Sequence, residues 1–171
     1  HAVFIGDSIT SGLSLYGNFD ESVVFTKNGL TAYSAVNHTY TFNGTKQKVV
    51  DAVSAKNPDC IYILLGSNDI EQGYSSEKFV YYYGELIDSL KNKCPNAKIY
   101  VQTIFPVTSS YAKSSGVTNE KIDKFNIALE ELCSEKNVSY VDVASIMKDS
   151  DGTLISSATG DGIHIKKAWY G

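Results

Sequence analysis

The chain opens on Ala2-Val3-Phe4-Ile5-Gly6-Asp7-Ser8, an apolar run that passes directly into a glycine, an acid and a serine. Four apolar residues bounded by a turn signal are typical of a buried strand, and Gly6 allows the backbone to turn sharply where the strand ends. Ser8 then follows the carboxyl end of that strand, which is the edge at which open α/β sheets bind ligands. A serine there is a candidate nucleophile if a base and oxyanion donors lie nearby.

Apolar, β-branched segments alternate with helical patterns along the rest of the chain. Further strands are predicted at 22–26, 60–65, 99–104 and 138–143, and helical spacing is found over 49–56, 79–90 and 122–132. We expect Ser76 to cap the second of these helices, a turn at Asn43-Gly44, and a polar loop over 107–117. This alternation predicts an α/β domain with a parallel sheet between helices.

Composition narrows the class of protein. A chain of 171 residues with 43% hydrophobic and 20% charged residues is expected to form one domain, over 1–171. The net charge is -4 and all fifteen cationic side chains are lysine, so a basic nucleic-acid footprint is absent. The absence of arginine also removes the usual bidentate clamp for phosphate.

Cysteine usage and hydropathy exclude other classes. The three cysteines are Cys60, Cys94 and Cys133, and their odd number and wide spacing predict free thiols and neither a disulfide framework nor a zinc site. No apolar run approaches the ~18 residues of a transmembrane segment. We expect no metal and no cofactor. A chain that begins almost on a strand is compatible with a secreted or cell-surface domain of a longer bacterial protein.

A base for Ser8 is found near the other end of the chain, in Asp161-Gly162-Ile163-His164. Within one turn of chain, the Asp161 carboxylate can reach the imidazole Nδ1 of His164 and leave Nε2 free to take a proton from Ser8. This is a catalytic triad in the chain order Ser, Asp, His. Imidazole suits the role because it titrates close to neutral pH.

Oxyanion donors are predicted at two neighbouring strand ends. The Ser8 N–H is one donor, and the Asn68 amide, in Gly66-Ser67-Asn68-Asp69 after the strand at 60–65, is another. The carboxyl ends of parallel strands lie side by side, and a side-chain amide in this role can contribute ~3 kcal/mol to the transition state. A third donor is expected from the loop after Asn28-Gly29. Asp7 and Asp69 are interpreted as structural turn formers.

Taken together, the segments at 6–9, 66–69 and 161–164 resemble three sequence blocks of the SGNH hydrolases, also called GDSL esterases and lipases. The resemblance covers essentially the whole chain. It implies a flavodoxin-like, three-layer α/β/α sandwich with a five-stranded parallel sheet. It also implies that Ser8 is the nucleophile, His164 the base, Asp161 its orienting partner, and Asn68 an oxyanion donor.

Two positions depart from the family pattern. Ile9 stands where the family commonly has leucine, which should matter little. Where the family has a donor glycine, Ala32 stands, and its backbone N–H can serve if its conformation is allowed; Gly29 is the alternative. Three tyrosines in loops after strand ends, or after that block, are candidates for lining the substrate pocket: Tyr33, Tyr74 and Tyr111.

The expected function is a metal-independent serine ester hydrolase that acts on a small-molecule or carbohydrate ester. The short chain, without an obvious lid insertion, favours short acyl groups, and deacetylation of carbohydrate is one family role that fits. A lysophospholipase or thioesterase of the same family is the alternative within the class. A catalytically silent binding module on the same fold, or a small phosphate or nucleotide binder, is the alternative outside it.

Overall fold

A computed structural model describes residues 1–170 of the chain. Its centre is a parallel sheet of five strands in the spatial order β2-β1-β5-β6-β7. The sheet strands are β1 (Ala2–Gly6), β2 (Val24–Thr26), β5 (Cys60–Leu64), β6 (Lys98–Gln102) and β7 (Ser139–Val141). A separate antiparallel hairpin pairs β3 (Tyr40–Phe42) with β4 (Thr45–Gln47).

Helices cover both faces of the sheet. They are α1 (Ser8–Tyr16), α2 (Ala32–Asn37), α3 (Val49–Ser54), α4 (Ser67–Glu71), α5 (Ser76–Lys93), α6 (Ser109–Ser115) and α7 (Asn119–Lys136). The long helix α5 packs against α2, α3 and α7 in one layer, whereas α1 packs against β1, β2 and the C-terminal turn at Lys167–Trp169. The expected three-layer α/β/α architecture with a five-stranded parallel sheet is confirmed.

Successive side chains of a strand point to opposite faces of the sheet, and one face of β1 and β5 forms the main hydrophobic core. Val3 and Ile5 of β1, together with Ile61 and Ile63 of β5, are fully buried and belong to one cluster with the apolar faces of α3, α5 and α7. A parallel sheet with helices on both faces leaves little strand surface in water, which is why these strands are almost continuously apolar.

The register of the two central strands positions the two predicted site segments. Gly6, the last residue of β1, pairs with Leu64, the last residue of β5. The segment that carries Ser8 and the segment that carries Asn68 therefore leave the sheet at the same edge and next to each other. Asp7 caps the N-terminus of α1, because its side chain accepts a hydrogen bond from the backbone N–H of Ile9 at 2.9 Å.

Most elements expected from the sequence are confirmed, including all five strands and the turn at Asn43-Gly44. The sheet strand predicted at 22–26 begins only at Val24, because Glu21–Val23 forms a 3-10 turn capped by Asp20. All three cysteines are free. The Asn43-Gly44 turn closes the hairpin β3–β4, since both residues adopt the positive φ angles that such a turn needs.

Two local expectations are wrong. The segment 107–117 is not a loop throughout, because Thr108 accepts from the Tyr111 N–H and caps α6. The cap of α5 is Ser75 and not Ser76: Ser75 accepts from the Lys78 N–H at 3.2 Å. In both cases neighbouring hydroxyl residues offered equivalent caps, and local spacing alone did not choose between them.

Gly66 lies in the turn between β5 and α4, and its substitution tests the packing of that turn. Its φ is +138°, and a Cβ there would overlap Ile104 Cδ1 and lie 2.7 Å from Ile104 Cγ1. Gly66→Ala should therefore lower the free energy of unfolding by about 2–4 kcal/mol in urea titrations. Gly116→Ala is the matched control, because Gly116 has φ +76° with nothing near its Cβ position, and it should cost about 1 kcal/mol. Equal losses in the two variants would contradict this packing.

Candidate active site

Three side chains form a hydrogen-bonded row at the carboxyl edge of the sheet. Ser8 Oγ lies 2.9 Å from His164 Nε2, and His164 Nδ1 lies 2.6 Å from Asp161 Oδ2. Ser8 begins α1, whereas the other two residues come from the loop after β7, more than 150 positions along the chain. The fold thus brings together the serine, base and acid that the sequence singled out.

The loop that carries the acid and the base is held by its own hydrogen bonds. Asp161 Oδ1 accepts from the backbone N–H groups of Ile163 at 3.1 Å and His164 at 2.9 Å. The Gly162 N–H donates to Thr159 Oγ1 at 2.9 Å. Gly162 has φ +99°, and a Cβ there would overlap Thr108 Oγ1, so glycine is needed both for the turn and for the close approach.

The charge on Asp161 is fixed by this loop. Partial burial alone would raise the pKa of Asp161, but hydrogen bonds from the His164 side chain and from the His164 and Ile163 backbone lower it to about 2. The Asp161 carboxylate is therefore ionised at neutral pH. An ionised partner at Nδ1 holds one tautomer and leaves Nε2 as an acceptor toward Ser8.

Asn68 lies in the first turn of α4, next to the start of α1. Its Nδ2 donates to Asp7 Oδ2 at 2.9 Å, and Asp7 is 2% exposed. A primary amide has two N–H groups, so the second is available to a bound carbonyl. The Ser8 N–H is at the N-terminus of α1, where backbone donors and the helix dipole favour negative charge.

The predicted third donor is engaged elsewhere. The Ala32 N–H donates to both oxygens of Asp69, at 3.0 and 3.3 Å, and Asp69 is fully buried. Gly29, the alternative, is an exposed turn residue with φ +75°. Asp69 was interpreted from the sequence as a local turn former, yet its side-chain partner is a backbone group 37 residues away. No local pattern signals such a long-range contact.

The three candidate tyrosines lie in two different parts of the structure, one beside Gly162 and two beside Lys78. Tyr111 packs beside the triad loop, since a Cβ on Gly162 would lie 2.7 Å from Tyr111 Cβ. Tyr33 and Tyr74 instead share a lysine: the Lys78 ammonium lies 5.8 Å from the Tyr33 ring centre and 3.8 Å from that of Tyr74. Only Tyr111 therefore has a described contact with the segment that carries Asp161 and His164.

The row of three hydrogen-bonded side chains lies open to solvent. The side chains of His164 and Asp161 are 51% and 56% exposed. A mainly apolar cavity of about 230 Å³ lies behind α1, and Ile9, Leu64 and Ile165 are among the residues that line it. Ser8, Asn68 and His164 are not among them, although Ile9 and Ile165 directly follow Ser8 and His164 in the chain.

Residues 1–170 contain neither a metal-binding cluster nor a membrane-spanning helix. No group of three or more His, Cys, Asp and Glu side chains there is arranged to hold a metal ion. No helix in this part of the chain is both long and apolar enough to cross a membrane.

Sequence comparison matches residues 4–170 to the model of the GDSL-like lipase/acylhydrolase family. A multidomain esterase of Ruminococcus flavefaciens is 29% identical over 126 residues, which are 70% of this chain and 15% of that protein. The chain therefore spans less than a fifth of the length of this relative.

Solved structures with the same fold include two hydrolases. One is a GDSL-like lipase from Bacteroides thetaiotaomicron, with a TM-score of 0.74 and 16% identity over 98% of this chain and 81% of that one. The other is a mutant of an acetyl-xylooligosaccharide esterase from Geobacillus, with a TM-score of 0.69 and 18% identity over 99% of this chain and 88% of that one. At these identities the likeness extends to the fold.

The serine of the hydrogen-bonded row can be tested by covalent labelling. A serine-directed fluorophosphonate should attach to the peptide that carries Ser8, because the Ser8 hydroxyl has an imidazole nitrogen at 2.9 Å that can take its proton. Peptide mapping by mass spectrometry is the measurement. Ser8→Ala should abolish labelling, whereas Ser11→Ala, one turn further along α1, should keep it. A label on another serine would refute the assignment of the nucleophile.

Proposed function

The chain belongs to the GDSL-like lipase/acylhydrolase family, and on that premise we propose that it is a serine esterase that removes short acyl groups through an acyl-enzyme. The observation that carries this proposal is the row of hydrogen bonds from Ser8 through His164 to Asp161. A serine hydroxyl is a weak nucleophile unless a base takes its proton, and here a base lies within hydrogen-bond distance.

The reaction begins with attack of Ser8 Oγ on the ester carbonyl carbon. His164 Nε2 takes the hydroxyl proton as the new bond forms, and Asp161 stabilises the imidazolium that results. The tetrahedral intermediate then collapses: its carbon–oxygen bond to the alcohol breaks, and His164 returns the proton to the leaving oxygen. The acyl group is left as an ester on Ser8.

The second half of the reaction repeats the same steps with water. His164 takes a proton from water, whose oxygen attacks the acyl carbon, and the carboxylic acid leaves as Ser8 recovers its proton. In both halves the carbonyl oxygen carries negative charge. The Ser8 N–H and the Asn68 amide are the donors that we assign to it, because both are at the sheet edge from which Ser8 projects.

Exposure of the triad supports a small acyl group on a large alcohol. His164 and Asp161 are each about half exposed, so a polymer can approach without entering a deep pocket. We therefore assign acetylated carbohydrate as the substrate class. The assignment agrees with the name of one similar structure, an acetyl-xylooligosaccharide esterase, and the name of the curated relative, a multidomain esterase, agrees with ester hydrolysis.

Acyl-chain selectivity tests this proposal. With p-nitrophenyl esters, kcat/KM should be highest for acetate and should fall at least tenfold by octanoate, because the half-exposed His164 and Asp161 side chains leave an acyl chain at Ser8 in contact with water; a loss of this size corresponds to about 1.4 kcal/mol. Acetate should also be released from acetylated xylan. Ser8→Ala is the control for both assays. A preference for long acyl chains or for thioesters would favour a lysophospholipase or thioesterase, and a lack of all turnover would favour a binding module.

The role of Asp161 can be tested separately. Asp161→Asn should fold and bind substrate but lose about 10²–10⁴ in kcat at neutral pH, because the neutral amide neither fixes the tautomer nor stabilises the imidazolium. Asp151→Asn is the matched control, since Asp151 is an exposed acid on a nearby turn. Steady-state kinetics at several pH values give the comparison. A near-wild-type kcat in Asp161→Asn would reduce the site to a dyad.

A further inference from the structure

Two buried acids are chain neighbours of site residues: Asp7 precedes Ser8, and Asp69 follows Asn68. Asp7 follows β1 and is 2% exposed; Asp69, in α4 after β5, is fully buried. Neither forms an ion pair with a lysine among residues 1–170. A carboxylate held in a protein interior without a cation is costly unless its oxygens accept hydrogen bonds. Their partners therefore indicate what these acids do.

Both carboxylate oxygens of Asp7 accept hydrogen bonds from groups next to Ser8 or from Asn68. Its Oδ1 accepts from the Ile9 N–H at 2.9 Å, which fixes the first turn of the helix that begins with Ser8. Its Oδ2 accepts from Asn68 Nδ2, also at 2.9 Å. Only an ionised carboxylate offers plain acceptors on both oxygens, because a carboxylic acid or an amide turns one side into a donor.

The contact with Asn68 decides which end of its amide faces the substrate. An acceptor at Asp7 requires the nitrogen of Asn68 on that side, so the second N–H is left for the carbonyl oxygen. If the amide turned over, its oxygen would replace an N–H, and an acceptor would face the developing oxyanion. The orientation matters more here because the Ala32 N–H is already bound to Asp69.

We propose that Asp7 is a positioning residue of the oxyanion hole, whose ionised carboxylate orients the Asn68 amide so that its N–H points to the reacting carbonyl. This inference rests on the proposed function, because it assigns Asn68 as an oxyanion donor. Asp7 does not touch substrate, and it acts through the Asn68 side chain. Its second bond, to the Ile9 N–H, is a helix cap and is separable from this role.

The orientation of the Asn68 amide by Asp7 should depend on pH, because Asp7 must be ionised to accept its hydrogen bond. Burial raises the pKa of Asp7 to about 6, against the lowering effect of the Ile9 and Asn68 hydrogen bonds and of a charge on His164. Asp69 is the other acid that faces it, and burial together with the Asp7 charge raises the pKa of Asp69 to about 7. As pH falls through about 6, Asp7 takes up a proton, the acceptor at Oδ2 is lost, and the oxyanion hole should weaken.

A double-mutant cycle tests the coupling between Asp7 and Asn68. Asn68→Ala alone should lower kcat about 10²–10³-fold with little change in KM. Asp7→Asn in the wild-type background should lower kcat about 10–100-fold. In the Asn68→Ala background the same change should cost less than about threefold, since the amide that Asp7 orients is gone.

Two further measurements separate positioning from mere stability. Asp7→Asn and Asp7→Ser each keep a side-chain oxygen that can accept from the Ile9 N–H, so both variants should keep the wild-type urea midpoint, and both should lose kcat. On the acid side, the slope of log kcat/KM against pH should be smaller by one in Asp7→Asn than in the wild type, because residue 7 no longer loses a proton as the pH rises.

The outcomes distinguish the two proposals. Equal losses of kcat from Asp7→Asn in both backgrounds, or full rescue of kcat by Asp7→Ser, would overturn the positioning role and leave the esterase assignment intact. If the wild-type protein labels at Ser8 but turns over no ester, the proposed function fails, and this inference fails with it.

Discussion

Parallel pairing of β1 with β5, in a register that sets Gly6 against Leu64, is the constraint on which the site depends. Both strands end together, so the serine after one and the asparagine after the other emerge side by side. The hydrogen bond between Ser8 Oγ and His164 Nε2 then joins that edge to the last loop of the described chain. A shift of one residue in this register would separate Ser8 from Asn68 and exchange the faces of Val3 and Ile5, which are fully buried.

Three aspartates lie at this site, and their environments give them different chemistry. Asp161 is half exposed, and hydrogen bonds from the His164 side chain and from the Ile163 and His164 backbone lower its pKa to about 2. Asp7 and Asp69 are buried, and burial raises the pKa of each. Asp161 therefore keeps its negative charge near neutral pH, whereas the charges on Asp7 and Asp69 change between about pH 6 and 7. Separation of pKa values by environment is how one site can give identical side chains distinct roles.

The sequence predicted the fold and the grouping of Ser8, His164 and Asp161, because both depend on local patterns. Apolar strands that end in Gly-Asp-Ser and Gly-Ser-Asn-Asp, and an acid three positions before a histidine, are visible without a structure. What it could not predict depends on contacts between distant residues. The bond from the Ala32 N–H to Asp69 spans 37 positions and that from Asn68 to Asp7 spans 61. The choice of Ser75 over Ser76 as a cap and the formation of α6 were also missed, because several adjacent hydroxyl residues could cap either helix equally well.

The central claim is that Ser8 carries the acyl group between the two halves of the reaction. Rapid quenching in acid, within the first turnover of an excess of enzyme over p-nitrophenyl acetate, followed by peptide mapping, measures this directly. The account predicts one acetyl group on the peptide that contains Ser8, formed at the rate of the first release of p-nitrophenol and lost on the timescale of acetate release. Acetate released with no acetylated peptide at any time, or an acetyl group on another residue, would contradict it.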